Sequence, residues 1–234
     1  MFAARVRHDL ERRIQILELL EQRRAVSEQD VVVGHSVQHR PITLVHVAGT
    51  GPRILVVGCI HGNEPAGIAI VSALERTHPR VDLWLVPVLN PDGLAAGTRQ
   101  NAHGIDLNRN FPSGWRSFGP PWSVYAAGPH PFSEPETRVA RALIRRIHPQ
   151  YTVWYHQHMD LVWAYGRSSK AGRRYAQLAG MRYRHWRWLD GTASNWQNHL
   201  PGGGASFTVE LPAGSLSSAA VARHVRAVLR LSGR

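Results

Sequence analysis

Two apolar segments on either side of a helical pattern constrain the fold of this chain most strongly. The segments RILVVGCI (residues 53–60) and VDLWLVPVLN (residues 81–90) are apolar on both alternating faces, which is typical of strands covered on both sides of a sheet. The intervening PAGIAIVSALERTH (residues 65–78) predicts a helix. Buried strands that alternate with helices predict an α/β protein.

The remainder of the chain continues this alternation. Two strands are predicted around a turn at residues 38–41, and two more at 151–158 and 206–212. A helix is predicted to begin at a Ser133–Glu136 capping box and to run to Ile147, and a last helix spans 217–231. An NPDG turn at 90–93 and a long loop over 97–132 complete the predicted elements. We therefore expect a three-layer α/β/α sandwich around a mixed, largely parallel central sheet. The long loop is expected to be functional, because compact domains rarely keep such loops otherwise.

A length of 234 residues indicates one main domain, which we place at residues 31–234. Leu10, Ile14, Leu17 and Leu20 follow helical spacing, so residues 1–30 are predicted to form an amphipathic helical appendage. The N-terminus is too charged for a secretory signal, and the apolar runs are too short to span a bilayer. A cytoplasmic protein without a membrane partner is expected.

The net charge of +12 invites a nucleic-acid interpretation. The basic residues are dispersed, however, and Lys170 is the only lysine among them, so solvated arginine-rich faces explain the charge and no nucleic-acid partner is expected. A basic surface would still steer acidic substrates towards the protein. The single cysteine, Cys59, excludes an intramolecular disulfide and is interpreted as a small core residue rather than a nucleophile.

Polar side chains follow the carboxyl ends of four predicted strands: His61, Asn90, His156 and Glu210. Open α/β sheets bind ligands at this edge. His61 and Glu64 lie three residues apart, which allows two interpretations, a solvated turn or half of a metal site.

Two further motifs favour a functional site over a solvated turn. The loop GIDLNRNFP (residues 104–112) combines Asn108 with Arg109, and a planar guanidinium beside an amide is suited to holding a carboxylate. Glu210 ends an apolar strand, where a carboxylate is costly without a charged partner or a chemical task.

The motifs occur in a recognisable order: His-x-x-Glu, Arg, Asp-x-Asn-Arg-Asn-Phe, His, and Thr-x-Glu-Leu. This order resembles the zinc carboxypeptidase family of the carboxypeptidase A type. The segments GCIHGNEPAG, GIDLNRNFP, GTASNW and FTVELP resemble its compact bacterial branch, the murein peptide amidases. The resemblance extends from about residue 34 to the end of the chain.

The resemblance implies one zinc ion held by His61, Glu64 and His156, with a fourth position open to water. His158 is the competing third ligand. Asp106 occupies the position from which a carboxylate fixes the tautomer of a ligand imidazole, although an ordinary turn aspartate is the alternative.

The resemblance also implies the catalytic roles. Glu210 would be the general base, and Arg99 would steady the developing oxyanion, with Arg116 as its rival. Asn108 and Arg109 would grip the terminal carboxylate of the substrate.

Two positions near the predicted pocket are less defined. The family often carries a mobile-loop tyrosine where this chain has Trp186 and Trp188, with Tyr183 slightly too early, so that role stays unassigned. Ser194 falls at the position that lines the pocket for the terminal side chain and indicates a small or polar side chain. The alternative is that Ser194 caps a turn.

These implications predict a zinc-dependent carboxypeptidase or amidase that cleaves next to a residue with a free carboxylate. The γ-D-glutamyl-diaminopimelate bond of murein peptides is the expected target. One rival is an N-acyl amino acid deacylase of the succinylglutamate or aspartate type. The other is a non-catalytic module that binds zinc or anionic polymers.

Overall fold

The computed structural model describes residues 30–233, and within them one eight-stranded sheet carries helices on both faces. The strands are β1 (Asp30–His35), β2 (Pro41–Val47), β3 (Arg53–Val57), β4 (Asp82–Val86), β5 (Tyr151–Gln157), β6 (Leu161–Trp163), β7 (Arg182–Arg184) and β8 (Ala205–Leu211). The α-helices are α1 (Gly67–Glu75), α2 (Pro91–Ala96), α3 (Pro135–Ile147), α4 (Ser169–Ala179), α5 (Ala193–His199) and α6 (Ser218–Leu229), and a 3₁₀ turn spans Leu107–Arg109.

The sheet is mixed, with the order β1-β2-β4-β3-β5-β8-β6-β7. Its centre, β4-β3-β5-β8, is parallel, and β6 pairs with β7 in the same way. The pairs β1–β2, β2–β4 and β6–β8 are antiparallel. The parallel centre matters for function, because the carboxyl ends of β3, β4, β5 and β8 meet along one edge.

Alternate residues of the central strands pack into two separate cores. Ile54 and Val56 contribute to a core that α1, α4 and α6 cover, while Leu55 and Val57 contribute to a core under α3 and α5. Both faces of the strand are therefore apolar for a physical reason, namely that each is covered by helices. The predicted three-layer sandwich is confirmed, and Cys59 is buried within an apolar cluster as expected.

Two local predictions are wrong. Ser133 and Glu136 do not form a capping box: Glu134 is the N-cap of α3, Pro135 follows it, and the Glu136 carboxylate accepts a hydrogen bond from the backbone of Val37. The NPDG segment is not a simple turn. Asn90 accepts a hydrogen bond from the backbone of Gly93, and Pro at the first helical position suits a helix start, so α2 forms there.

The sequence patterns do not predict β6, β7, α4 or α5. The two strands are only three residues long, and they are defined by pairing between distant segments, β6 with β8 and β7 with β6, rather than by their own pattern. The predicted helix within residues 1–30 lies outside the described residues. Among residues 30–233, no helix combines the length and apolar character needed to cross a membrane.

A buried polar chain links β5, α4 and α6. The hydroxyl oxygens of Tyr155 and Tyr175 lie 2.7 Å apart, and the Tyr175 hydroxyl is 2.8 Å from Nδ1 of His224. Burial, helped by the neighbouring Arg223, lowers the pKa of His224 to about 4. His224 is therefore neutral in the folded protein at neutral pH.

This buried histidine predicts a loss of stability in mild acid. In the unfolded chain His224 recovers a pKa of about 6.5, so below that pH the unfolded state binds a proton that the folded state does not. The free energy of unfolding is therefore unaffected by protonation of His224 above about pH 6.5. It falls as the pH drops towards 4, by about 2 kcal/mol at pH 5. Urea unfolding at pH 7.5 and pH 5 measures the change. His224→Gln should show a correspondingly smaller decline, and equal declines would refute this assignment.

Candidate metal centre and cleft

Three side chains converge at the carboxyl edge of the parallel strands. His61 and Glu64 lie on the turn that follows β3, and His156 is the next-to-last residue of the neighbouring β5. Nδ1 of His61 is 2.9 Å from Oε2 of Glu64, Nδ1 of His156 is 3.0 Å from the same oxygen, and the two Nδ1 atoms are 3.1 Å apart. All three residues are buried, and within residues 30–233 they form the one group of this kind with metal-binding geometry.

Close packing requires a glycine between His61 and Glu64. A Cβ at Gly62 would lie 1.8 Å from the carbonyl carbon of Gly93, because the turn presses against α2. Such a contact is sterically impossible, so only glycine allows the turn to approach the helix this closely.

Two residues of the long loop, Asp106 and Arg99, contact the converging side chains of His61 and Glu64. Oδ1 of Asp106 is 3.0 Å from Nε2 of His61, so the carboxylate lies on the side of the ring away from Glu64. Arg99 donates from Nε and Nη2 to Oδ2 of Asp106 and from Nη1 to Oε1 of Glu64, at 2.9–3.0 Å. Asp106 and Arg99 therefore fix the orientation of one imidazole and one carboxylate.

The same contacts determine the ionisation of Glu64 and Asp106. Burial disfavours ionisation of Glu64, but the charge of His61 and the hydrogen bonds of both histidines outweigh it and hold the pKa of this carboxyl well below its usual value. Burial is likewise outweighed at Asp106, where His61 and Arg99 keep the pKa well below normal. Both carboxylates are thus ionised at neutral pH.

Glu210 lies beside the three converging residues but outside their group. It is in register with His156 across the β5–β8 pair, and it lines the same cleft. Its Oε2 atom is buried and has no hydrogen-bond partner among the described residues. Buried polar atoms are nearly always satisfied, so this orphaned oxygen indicates a missing partner in the cleft.

Arg109 is a second buried group of the cleft that lacks a partner within the described part of the chain, in this case a counter-ion. The residue is only 7% exposed, and none of the ion pairs among residues 30–233 includes it. Nη1 donates to the backbone oxygen of Asn108 at 2.7 Å. Burial lowers the pKa of Arg109, although Asp106 opposes the shift. A buried cation without a counter-ion is costly, which favours an anionic ligand at this end of the cleft.

The cleft encloses a volume of about 280 Å³. The residues that line it are His61, Glu64, Arg99, Asn108, Arg109, Val124, Tyr125, His156, Gln157, His158, Met159, Trp163, Trp188, Leu189, Thr192, Thr208 and Glu210.

Most site residues named from the sequence are therefore brought together, and the exceptions have clear causes. Ser194 does not line the cleft: it faces β8 from the first turn of α5, with its hydroxyl 3.3 Å from Oγ of Ser206. Arg116 is exposed and paired with Asp190 outside the cleft. Of the residues considered for the tyrosine position, Trp188 lines the cleft, whereas Trp186 and Tyr183 do not.

Asn108 and His158 line the cleft in ways that the sequence did not define. Oδ1 of Asn108 accepts a hydrogen bond from the backbone of Ala193, and its Nδ2 is 3.4 Å from Nε2 of His156. The amide therefore contacts the outer nitrogen of a converging imidazole. His158 lies in the cleft wall but outside the three-residue group.

Gln157 has a structural role that no sequence pattern indicates. Its Oε1 accepts from the backbone of Ala66, and its Nε2 donates to the carbonyl oxygens of Pro212 and Gly214. It therefore ties the turn that carries Glu64 to the end of the strand that carries Glu210. A glutamine between two histidines gives no sequence signal for such a role.

The three converging atoms fit a zinc ion. Zinc bonds of about 2.0–2.2 Å place tetrahedral ligand atoms roughly 3.3 Å apart, and the observed separations of 2.9–3.1 Å need only a small expansion. Two imidazoles and one carboxylate are a donor set that zinc prefers, and the orphaned oxygen of Glu210 lies in the same cleft.

The fold and this site define an α/β sandwich protein with three side chains at its carboxyl edge that could hold a metal ion. The sequence of residues 14–195 matches the model of the zinc carboxypeptidases, a family of hydrolases. Because that match covers more than half of the chain, the protein belongs to the zinc carboxypeptidase family.

Individual relatives agree with this membership. The chain is 36% identical over 115 residues to murein peptide amidase A of Escherichia coli K12, an alignment that covers 44% of this chain and 48% of the relative. The chain thus spans about half the length of the curated relatives it matches. The crystal structure of the murein-tripeptide amidase from Escherichia coli O157 superposes with a TM-score of 0.74 at 28% identity, over 90% of this chain and 94% of that one. Carboxypeptidase A from Helicoverpa armigera, at 20% identity and a TM-score of 0.72 over 92% and 71%, shares the fold.

Proposed function

We propose that this protein is a zinc-dependent carboxypeptidase or amidase that hydrolyses the amide bond next to a residue with a free carboxylate. The proposal rests on one observation: two groups in the same cleft, Arg109 and Glu210, lack among the described residues the partners that a buried charge or polar atom normally has. The unpaired Arg109 favours an anion, and the orphaned oxygen of Glu210 favours a proton donor beside the converging ligands. A peptide that ends in a carboxylate supplies the anion, and the water that attacks its amide bond supplies the proton donor.

His61, Glu64 and His156 would hold the ion, and Asp106 would keep the His61 ring in place. When bound, zinc supplies Lewis-acid chemistry, which polarises the scissile carbonyl and makes an attacking water more acidic.

The protein's own groups would perform the remaining tasks. Arg109, with Asn108 beside it, binds the terminal carboxylate and orients the scissile bond. Glu210 takes a proton from the attacking water and passes it to the leaving amine. Arg99, fixed by Glu64 and Asp106, presents positive charge to the oxygen on which negative charge develops.

The preferred substrate is a murein peptide cleaved at the γ-D-glutamyl-diaminopimelate bond. The names of two relatives, murein peptide amidase A and murein-tripeptide amidase, support this choice.

An assay of the zinc-loaded protein tests this proposal. L-alanyl-γ-D-glutamyl-meso-diaminopimelate should release diaminopimelate, and the same peptide with its terminal carboxylate amidated should react at least about tenfold more slowly, since the charge-assisted contact to Arg109 is weakened. Faster hydrolysis of N-succinylglutamate or N-acetylaspartate would favour the deacylase instead. Binding of zinc or anionic polymers without hydrolysis of any of these compounds would favour the non-catalytic module.

A further inference from the structure

Two apolar side chains stand exposed at the carboxylate-binding end of the cleft. Val124 is 60% exposed and Tyr125 is 50% exposed, and both line the cleft. Their segment is nevertheless anchored on both sides: Gln100 donates to the carbonyl oxygen of Ser123, and the backbone of Asp106 donates to that of Ala126. Their exposure is therefore a fixed feature of the loop that also carries Arg99 and Asp106.

Tyr125 packs against the arginine that lacks a counter-ion. The guanidinium carbon of Arg109 lies 4.7 Å from the centre of the Tyr125 ring, and that of Arg99 lies 6.0 Å from it. Arg99 is also held by two carboxylates, whereas the Arg109 guanidinium has one hydrogen bond to a backbone oxygen. The position of Arg109 consequently depends more strongly on the ring.

An aromatic ring over a guanidinium affects the direction from which a carboxylate can bind. The five N–H donors of arginine lie in the plane of the group, and a carboxylate binds with two parallel hydrogen bonds along an edge of that plane. An aromatic ring attracts the cation through its face and shields that side from water. A ring held over the guanidinium carbon of Arg109 therefore restrains the cation and leaves N–H donors free for the ligand.

We propose that Tyr125 is a positioning residue: its ring holds the Arg109 guanidinium so that the substrate carboxylate is received edge-on in the cleft. This inference rests on the proposed function, since it takes the substrate to carry a free carboxylate. The aromatic ring, rather than the hydroxyl group, performs the task.

The kinetics of Tyr125 variants distinguish a role in substrate binding from a role in the chemical step, and the aromatic ring from the hydroxyl group. With the murein tripeptide as substrate, Tyr125→Ala should raise KM about tenfold and leave kcat within about twofold, because carboxylate binding is weakened while the groups around the metal stay in place. Tyr125→Phe should restore the KM of the unmodified protein. Phe118→Ala is the matched control: Phe118 stacks on Arg116 at 4.9 Å in the same loop region but outside the cleft, so its loss should change neither constant.

Binding measurements make the result independent of turnover. Calorimetry with meso-diaminopimelate on zinc-loaded Glu210→Gln, with and without Tyr125→Ala, should show a similar tenfold loss of affinity. Absence of hydrolysis in the unmodified protein would contradict the proposed function alone, since the binding ratio still tests Tyr125. The inference is overturned by an unchanged KM and affinity in Tyr125→Ala, by absence of binding in both calorimetric variants, or by a Tyr125→Phe protein as impaired as Tyr125→Ala.

Discussion

Replacement of Glu210 by glutamine should lower kcat at least about a hundredfold while the protein still binds one equivalent of zinc. Glutamine keeps the size and shape of the side chain but cannot take up a proton. Glu210 faces the cleft beside His156 without belonging to the group that would hold the ion. Loss of the rate without loss of the metal is therefore the signature of a general base.

Measurement of kcat and of zinc content on the same preparation tests this expectation. Glu75→Gln makes the same chemical change at the end of α1, outside the cleft, and should leave both quantities unchanged. A Glu210→Gln protein that contains zinc and turns over at the unmodified rate would remove Glu210 from the mechanism.

Replacement of Arg109 by glutamine should raise KM for the tripeptide by about a hundredfold, because hydrogen bonds to charged groups contribute roughly 1.5–3 kcal/mol. The same change should abolish the preference for a free over an amidated terminus. The expectation follows from the buried, unpaired state of this guanidinium, whose counter-ion would be the substrate itself.

Steady-state kinetics with both peptides, compared with Arg116→Gln, provides the check. Arg116 is an exposed arginine of the same loop region, paired with Asp190 outside the cleft, so its replacement should be neutral. If Arg109→Gln still favoured the free carboxylate as strongly as the unmodified protein does, the carboxylate would have to bind elsewhere.

The sequence was sufficient to predict which residues would meet at the candidate site. His61, His156 and Glu210 follow or end apolar strands, and the parallel pairing of those strands brings their carboxyl ends together. The motif order then assigned Glu64 and Asp106 to the same place. The convergence of these side chains was predicted from the resemblance of the motifs and their order to the zinc carboxypeptidases, because local patterns do not determine which distant strands pair.

Features that depend on packing between distant segments were not predictable in this way. Ser194 was expected to line the cleft, but helix α5 turns it towards Ser206. The stacking of Tyr125 on Arg109 arises from the path of a loop that has no periodic pattern. The aromatic residues of that loop were visible in the sequence, yet nothing in it indicated which of them would reach the cleft.

The most direct test of the account is the zinc content of the purified protein and of two histidine variants, measured after dialysis against zinc-free buffer. The unmodified protein should retain one zinc ion per chain. His156→Ala should retain almost none, whereas His158→Ala, which removes the neighbouring imidazole of the cleft wall, should retain one. A protein that binds no zinc, or one that loses it with His158 and keeps it without His156, would contradict the convergence of His61, Glu64 and His156 on a single ion.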